Sequence, residues 1–382
     1  MRILLIRLRL IGDVVFTTPL IAALRRRYPD ARLDYVVEPH ARPVVAANPH
    51  LDEVLVATAP RTRGRLFSDV RLAGELRRRR YDAAVDLHGG PRSALLTWAT
   101  GAPMRIGYRI QGRRWAYTHA VPRARELRPR HSVLNQWDLL APLGFGAPDP
   151  EVDATDMRHP PAAETAVLAR LRDAGAAPER HALVIVHVSA GNPFRRWPAA
   201  SFARLVVSLA RADSSRRVLL LSGPSETAAA REIGNRARAE LGPLGGSVVD
   251  GVELDLFELR AALDHAALFI GGDSGPLHIA GTSGVPIVGL YGPTLPHRSA
   301  PWRPGRFVTE SVEARDLPCR PCDQRRCEPG DFRCLGSIEA DVVAAAAERA
   351  IANAHLERSR VEGRGSRAGT DPASGSTLDA RR

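Results

Sequence analysis

The stretch LFIGGDSGPLHIAGTSGVPIVGLYGPT, residues 268–294, indicates the fold of this chain. Its first three residues are apolar, and two glycines at 271–272 allow a tight turn, which is typical of a buried strand that ends abruptly. The next four residues combine short polar side chains with a proline, a pattern that favours the first turn of a helix. A second apolar run follows Gly284. The stretch therefore predicts a strand, a turn, a helix and a second strand.

This unit carries polar residues at the predicted carboxyl end of a strand. In an open parallel sheet that end faces the ligand crevice, and the N-terminus of the following helix favours phosphate. Asp273 and His278 both lie near the turn, which favours a ligand site. The alternative is an ordinary crossover whose glycines only allow close packing.

The composition bounds both the size and the chemistry of the protein. The chain has 382 residues, enough for two domains, and 44% hydrophobic and 25% charged residues are typical of a soluble protein. The net charge of +12 comes from arginine alone, because the sequence contains no lysine. This excludes a Walker A loop, a Schiff-base lysine and a pyridoxal-phosphate site. The basic excess favours an anionic partner: a nucleotide diphosphate, an anionic glycolipid, a membrane surface or a nucleic acid.

The N-terminal stretch MRILLIRLRLIGDVVF has the apolar character of a signal peptide, but charges interrupt it. Arg7, Arg9 and Asp13 fall within the apolar run, and no small-residue cleavage pattern follows. No run of about 18 apolar residues occurs in the sequence, so we expect no membrane span. We predict a cytoplasmic protein.

Strand-like apolar runs alternate with amphipathic helical stretches along the whole chain, as in a parallel, doubly wound sheet. The proline-rich stretch APDPEVDATDMRHPPAA, residues 147–163, is typical of a linker. We therefore expect two Rossmann-like halves, residues 1–155 and 156–336, with a helix over 337–355 that packs back on the first half. Residues 357–382 have little apolar content and are predicted to be a disordered tail. Neither half has GxGxxG after a strand, so a dinucleotide fingerprint is lacking.

Several loops at predicted strand ends carry candidate site residues, each with two interpretations. Asp13 is either a helix cap or a base that faces the crevice. Arg195 and Arg196 either neutralise a diphosphate or form a solvated basic face anchored by Trp197. Glu226 is either a carboxylate in the first turn of a helix or a hydrogen-bond acceptor for a ribose or base.

Taken together, these segments resemble glycosyltransferase family 9, the bacterial heptosyltransferases of lipopolysaccharide core assembly. The resemblance covers nearly all of residues 1–350 and is strongest in GGDSGPLHIAGTSGVPIVGLYGPT. It is supported by MRILLIRLRLIGDVVFTTPLIAALRRRYP, VDLHGGPRSALLTWATGAPMRIGY, HVSAGNPFRRWP and LSGPSE. It implies a GT-B fold, which is an α/β architecture of two facing Rossmann-like domains with parallel sheets and an interdomain cleft.

The resemblance also implies a reaction: inverting transfer of heptose from ADP-heptose to a lipopolysaccharide-core-type or other glycan acceptor. The N-terminal half would bind the acceptor and the C-terminal half the donor. Asp13 matches the family's proposed general base, and Arg195 stands in place of a phosphate-binding lysine, preserving its charge. Glu226 matches a ribose-binding acid, and Asp273, Ser274, Gly275 and His278 match the donor signature. We further expect Arg196 on the donor side, and Gly12 and Arg92 on the acceptor side.

No metal or other cofactor is predicted to be required, because no Asp-x-Asp motif of the kind that holds a divalent cation occurs in the chain. The four cysteines form one cluster, PCRPCDQRRCEPGDFRCL, at positions Cys319, Cys322, Cys327 and Cys334. Clustered cysteines in a cytoplasmic chain suit a structural metal, but the long loop that commonly separates two cysteine pairs in zinc sites is lacking. We therefore favour reduced thiols in a surface loop over a structural metal.

Two other functions are compatible with parts of the sequence. A nucleotide-sugar epimerase shares the GT-B architecture and needs no acceptor. The arginine excess suits a nucleic-acid-binding protein, but only 5% of residues are aromatic and no recognition motif is present. We therefore expect a nucleotide-sugar donor, a lipid-linked or core glycan acceptor and no nucleic acid. Peripheral contact with an anionic membrane, at the inner face of the cytoplasmic membrane, also fits the charge.

Overall fold

The computed structural model describes residues 1–59, 62–123, 130–188 and 192–367, the last seven by their backbone alone. Within these ranges the chain forms two six-stranded sheets, one in each half, and all strand pairs are parallel. The strands of the first sheet, β1 to β6, are Arg2–Ile6, Arg32–Val37, Glu53–Val56, Ala83–Asp86, Met104–Tyr108 and His119–Val121. Those of the second, β7 to β12, are Ala182–His187, Arg216–Leu221, Val248–Val249, Leu268–Gly272, Ile287–Tyr291 and Thr309–Glu313.

Both sheets have the same topology. The strand orders are β3-β2-β1-β4-β5-β6 and β12-β11-β10-β7-β8-β9. In each, the chain moves outward from a central strand and then returns to its other side, which is the Rossmann order. The order reverses between β1 and β4 and between β7 and β10, and ligands bind at the carboxyl ends of strands at such points. The predicted α/β fold with two Rossmann-like halves is confirmed.

Helices cover both faces of the sheets. Those of the first half, α1 to α6, are Ile11–Val15, Thr18–Arg27, Arg42–Ala46, Arg65–Arg78, Pro91–Ala99 and Ser132–Trp137. Those of the second, α7 to α14, are Pro161–Asp173, Ala199–Ala212, Thr227–Leu241, Leu256–Asp264, Gly275–Ala280, Pro296–Ser299, Arg333–Gly336 and Ala340–Arg367. The central strands are buried on both faces and therefore read as continuous apolar runs such as RILLI and ALVIVH.

The C-terminal helix packs on the second half, so its predicted return to the first half is wrong. Val343, Ala346, Ala347 and Ala350 of α14 belong to the core that β7, β8, β10, β11 and α8 build, and α14 lies against α8, β11 and β12. Its small apolar side chains allow the helix to lie close to that sheet. Helix α14 also continues to Arg367, so the predicted tail begins too early.

Within residues 357–367, Arg360 pairs with Glu357 one turn earlier on the helix. Residues 368–382 of the predicted tail lie outside the described part of the chain. None of the described helices is long and apolar enough to cross a membrane.

The linker ties the halves together. The backbone N–H and the hydroxyl of Thr155 both donate to the carbonyl of Trp302, at 3.1 and 2.8 Å. The indole of Trp302 donates in return to the carbonyl of Asp153 at 2.8 Å. The exact boundary at 155/156 stays a prediction, since the first sheet ends at Val121 and the second begins at Ala182.

Candidate active site

A cavity of about 980 Å³ lies between the two halves, at the carboxyl ends of β1, β7, β8 and β10. Both halves contribute to it, as the resemblance to a two-domain fold implied. Eight of the ten residues predicted for the site line this cavity: Gly12, Asp13, Arg195, Glu226, Asp273, Ser274, Gly275 and His278. Arg92 and Arg196 do not line it.

Asp13 is the third residue of α1 and its carboxylate is partly open to the cavity. The residue that caps α1 is Leu10, with a positive φ of 69°, so Asp13 does not cap this helix. Its carboxylate instead pairs with the guanidinium of Arg7. Arg7 is fixed by a 2.6 Å hydrogen bond that it donates to the carbonyl of Leu87. One arginine therefore orients the carboxylate while 30% of the Asp13 side chain stays exposed.

Gly12 allows the two halves to approach closely at the cavity. A Cβ at this position would lie 2.2 Å from Cδ2 of His278, which belongs to α11 of the second half. The same holds at Gly275, where an added Cβ would lie 3.0 Å from Cβ of Ile11 in the first half. Helices α1 and α11 thus pack across the cleft through two glycines. The sequence placed Gly12 on the acceptor side and Gly275 on the donor side, and the structure shows that both lie where the halves contact each other.

Asp273 and His278 form a buried pair under the donor side of the cavity. Their side chains are 3% and 6% exposed, and Nε2 of His278 lies 3.3 Å from Oδ1 of Asp273. Burial raises the pKa of Asp273, but the hydrogen-bonding and charge of His278 and the charge of Arg195 outweigh it, and the pKa falls to about 2. Asp273 also accepts a 3.1 Å hydrogen bond from the hydroxyl of Ser299. The carboxylate is therefore ionised and held by partners from two elements.

Helix α11 offers the cavity fewer N–H donors than the sequence suggested. It has six residues, and Ser274 precedes it without capping it by its side chain. Pro276 has no N–H, and the N–H groups of Leu277 and His278 both donate to the carbonyl of Ser274. Charged side chains must therefore supply most of the stabilisation of a bound phosphate.

Arg195 is held in a fixed orientation at the cavity wall. Its Nη1 donates to the carbonyl of Asp273 at 2.7 Å, and its Nε donates to the side-chain oxygen of Gln324 at 2.8 Å. The same oxygen accepts a 2.8 Å hydrogen bond from the amide of Asn192. Gln324 lies within the cysteine-rich segment, so this segment supports the cavity wall. No feature of the sequence indicated this role.

Glu226 and Arg196 contact each other. Nη2 of Arg196 lies 3.2 Å from Oε1 of Glu226, and the hydroxyl of Ser225 donates to the same oxygen at 2.6 Å. Glu226 is 7% exposed, whereas the Arg196 side chain is 46% exposed. Arg196 therefore neutralises and orients Glu226 from outside the cavity. Beside Glu226, the wall is apolar and consists of Leu221, Pro224, Leu254, Leu256 and Leu259.

Arg92 is engaged away from the cavity. It donates to Asp69 at 2.6 Å and to the buried carboxylate of Glu38 at 2.8 Å. Both bonds lock the start of α5 to the neighbouring elements. The acceptor role of Arg92 stays a prediction, and its side chain would have to leave these partners to reach a ligand in the cavity.

Arg298 is a cavity residue that the sequence reasoning missed. It lies on the short helix α12 and lines the cavity together with Arg195. Its guanidinium makes no ion pair with any residue that the structure describes, and its buried Nε has no hydrogen-bond partner there. A second cation is therefore available to a bound anion. The HRS sequence around it has no distinguishing pattern.

The cysteine-rich segment contains four free thiols. All four line a small pocket of about 70 Å³ beside Phe194 and Phe332. Burial, followed by the nearby cysteines, raises the pKa of the Cys334 thiol. Among the described residues, no three His, Cys, Asp or Glu side chains are arranged to hold a metal ion. Arg320 fixes the segment, donating to the carbonyl of Thr294 at 2.9 Å and pairing with Glu313 at 2.8 Å.

Two Rossmann-like halves with strand ends that face one cavity define the GT-B fold class. The sequence model of glycosyltransferase family 9 (heptosyltransferase) matches residues 70–330. Lipopolysaccharide heptosyltransferase 3 of Escherichia coli is 30% identical over 329 residues, which cover 83% of this chain and 91% of that protein. The chain belongs to glycosyltransferase family 9.

Solved structures agree on the fold. The family 9 glycosyltransferase from Veillonella parvula DSM 2008 superposes with a TM-score of 0.73 at 23% identity, over 92% of this chain and 97% of that one. E. coli ADP-heptose lps heptosyltransferase II superposes with a TM-score of 0.71 at 20% identity, over 92% and 98% of the two chains. The protein is therefore a glycosyltransferase with the GT-B fold.

Proposed function

We propose that the protein transfers heptose from ADP-heptose to a hydroxyl of a lipopolysaccharide-core acceptor, with inversion at the anomeric carbon. The observation that carries this proposal is the single cavity in which the carboxylate of Asp13 comes from one half and the guanidinium of Arg195 from the other. The names of the relatives supply the donor and acceptor classes.

The donor would bind along the second half. The apolar wall of Leu254, Leu256 and Leu259 suits a planar base, and Glu226 beside it suits the hydroxyls of a ribose. Arg195 and Arg298 would bind the diphosphate, since planar guanidinium groups match phosphate oxygens in charge and geometry. Arg196 would act indirectly by holding Glu226.

The reaction would use Asp13 as the base. Its carboxylate accepts the proton of the acceptor hydroxyl while the hydroxyl oxygen attacks the anomeric carbon from the face opposite the diphosphate. The bond between that carbon and the phosphate oxygen breaks, and ADP leaves with an additional negative charge. Arg195 and Arg298 stabilise this charge as it develops. The buried Asp273–His278 pair would support the sugar end of the donor site.

The test is transfer by the full-length protein from ADP-heptose to a core acceptor, followed by mass spectrometry. The expected product gains one heptose, and NMR shows an anomeric configuration opposite to that of the donor. UDP-glucose and GDP-mannose serve as control donors, and a reaction without acceptor detects epimerisation. A product that forms without acceptor, or equal use of all three donors, would contradict the proposal. Acceptor identity and a place at the inner membrane face are parts of the same proposal.

A further inference from the structure

Six large apolar side chains point into solvent from neighbouring elements of the first half. Leu66, Phe67 and Val70 of α4 are 71–77% exposed, and Leu95 and Trp98 of α5 and Trp115 of the turn Arg114–Ala116 are 50–56% exposed. We call these six residues the α4–α5 face. Single exposed apolar side chains are normal in soluble proteins, but a cluster of this size marks an interaction surface.

The α4–α5 face is built on two neighbouring helices. Helices α4 and α5 pack side by side on the same layer of the first sheet, and their inner residues Leu72, Leu76 and Leu96 share one core. The ring of Trp98 meets that of Trp115 edge to face, with centroids 5.9 Å apart. Because both helices already have buried inner residues, the core does not require the outer ones to be apolar.

The border of this face is basic. Arg71 on α4 and Arg109 and Arg114 near Trp115 are exposed, and none of the three forms an ion pair with another described residue. The acidic side chains of α4 are neutralised, since Asp69 pairs with Arg92 at 2.6 Å and Glu75 with Arg79 at 2.6 Å. The face therefore combines apolar and aromatic side chains with net positive charge.

We propose that the α4–α5 face docks on a bilayer of anionic phospholipid. Tryptophan and phenylalanine side chains insert at the boundary between headgroups and acyl chains, and arginines bind the phosphates. The unpaired arginines around the apolar side chains match the negative charge of phospholipid headgroups. Neither the apolar side chains nor the arginines would suffice alone, because stable peripheral binding combines apolar burial with electrostatic attraction.

This docking would place the bilayer beside the acceptor half. Helices α4 and α5 begin at the carboxyl ends of β3 and β4, at the same sheet edge from which β1 leads to Asp13. Lipid docking through this face does not depend on the identity of the donor or acceptor. It can therefore be tested without any nucleotide sugar.

The experiment is co-sedimentation of the full-length protein with vesicles of phosphatidylcholine alone or with about one third phosphatidylglycerol. We expect at least tenfold stronger partition onto the anionic vesicles, and a blue shift of tryptophan emission. The double variant Phe67→Ser/Trp98→Ser should lose about tenfold or more of this partition. The double variant Arg71→Gln/Arg114→Gln should lose a similar factor on anionic vesicles alone.

Matched controls come from the second half. Leu244→Ser/Leu356→Ser removes two exposed apolar side chains, and Arg231→Gln/Arg358→Gln removes two exposed arginines. Both should bind vesicles as the unaltered protein does, and unfolding temperatures establish that every variant is folded. Equal partition of test and control variants, or no preference for anionic vesicles, would overturn the proposal. A dimer in sedimentation velocity that Phe67→Ser/Trp98→Ser dissociates, without vesicle binding, would assign the face to self-association instead.

Discussion

At the scale of single residues, Asp13 shows how the structure sharpens a choice that the sequence leaves open. The sequence allows a helix cap or a base, and the structure replaces the cap with an ion pair to Arg7. The remaining structural role of Asp13 is therefore to be the partner of Arg7. This role and that of a base predict different results for two variants.

We expect Asp13→Asn to lower turnover by about 10² to 10⁴, the usual contribution of a positioned general base, while donor affinity persists. Arg7→Gln removes the same ion pair but leaves the carboxylate, so it should lose less than about tenfold. Turnover, donor affinity and unfolding temperature are measured for both variants. Equal losses of turnover would mean that the ion pair matters and that another group accepts the proton.

In the proposed reaction Arg195 stabilises the charge that grows as the glycosidic bond breaks, so Arg195→Ala should lower turnover by roughly 10²-fold. Arg195→Lys keeps the positive charge but lacks the planar guanidinium that bonds two oxygens at once, so it should recover part of the lost turnover. Gln324→Leu leaves the guanidinium of Arg195 in place but removes the acceptor of its Nε hydrogen bond. We expect a loss of turnover between those of Arg195→Lys and Arg195→Ala. Steady-state kinetics with ADP-heptose measure all three. An alanine variant with unchanged turnover would show that Arg195 does not stabilise the leaving group.

Arg298 and Arg196 form a second comparison, because the sequence selected Arg196 and the structure places Arg298 on the cavity wall. Arg298→Ala should weaken ADP binding by about tenfold, whereas Arg196→Ala should weaken it less, since Arg196 acts through Glu226. Isothermal titration with ADP measures both, and with adenosine it separates the phosphate contribution. Equal losses with adenosine and ADP would contradict a phosphate role for Arg298.

The residues that sequence reasoning found are those with a local signature. Asp13, Arg195 and Asp273 each lie in the loop or first helical turn that follows an apolar strand, so their place at the cavity follows from the parallel sheet. Gln324 and Arg298 come from segments without regular strands, where position depends on tertiary contacts. Gly12 was assigned to the acceptor side, and its contact with His278 depends on how two separate halves meet, which no local pattern encodes.

At the scale of elements, local sequence patterns again predict some features, whereas those that depend on tertiary contacts are not predicted. Long apolar runs predicted most strands of both sheets, but β6 and β12 were missed because HAV and TESVE are short edge strands with little apolar content. The helical stretch that follows β1 contains Pro19, and the structure divides this stretch into two helices with Pro19 in the first turn of α2. The prediction that α14 packs on the first half was wrong because a stripe of alanines fits either sheet.

Helix α6 provides a test of how one side chain joins the halves. His131 precedes α6, and its Nδ1 accepts the N–H of Val133 at 3.2 Å, while its Nε2 lies 2.8 Å from the carbonyl of Ala300. This arrangement requires the neutral ring with a proton on Nε2. Burial lowers the pKa of His131 from 6.5 to about 4. Burial likewise lowers the pKa of His88 to about 4.

Because the unfolded chain binds a proton below pH 6.5 and the folded chain only below about 4, stability should fall as pH decreases across this window. The resulting loss of unfolding free energy from His131 reaches about 3 kcal/mol at the acidic end of this window. His131→Gln keeps an acceptor and a donor without titrating, so its unfolding temperature should depend less on pH. His88→Gln is measured alongside, because the pKa of His88 is lowered by burial in the same way. An unchanged pH dependence in His131→Gln would show that this ring does not control acid stability.

At the scale of the whole molecule, the absence of lysine means that arginine supplies all fixed side-chain positive charge. The arginines differ in partners. Arg7 and Arg196 orient carboxylates at the site, Arg320 fixes the cysteine-rich segment, and Arg71 and Arg114 remain exposed on the α4–α5 face. A guanidinium suits each of these tasks because it keeps its charge when partly buried and bonds in several directions. The arginines therefore divide between the cleft and the outer surface of the molecule.

The last prediction concerns the charge of the departing diphosphate, which many transferases neutralise with a divalent cation. Here Arg195 and Arg298 bring two positive charges to one cavity wall, and two guanidinium groups can replace the charge of one such cation. Transfer should therefore continue in excess EDTA, at a rate within about twofold of that with added Mg²⁺. The measurement is the initial rate after chelation and after restoration of Mg²⁺ or Mn²⁺.

Circular dichroism of the same samples is the control, because chelation would unfold a protein that depended on a structural metal in the cysteine-rich segment. Rates are therefore compared per folded molecule. Arg298→Ala sharpens the test, since loss of one of the two cations should make added Mg²⁺ stimulate the variant more than the unaltered protein. A strict requirement of the folded, unaltered protein for Mg²⁺ or Mn²⁺ would mean that the two arginines do not neutralise the leaving group, and that a cation bound with the donor does.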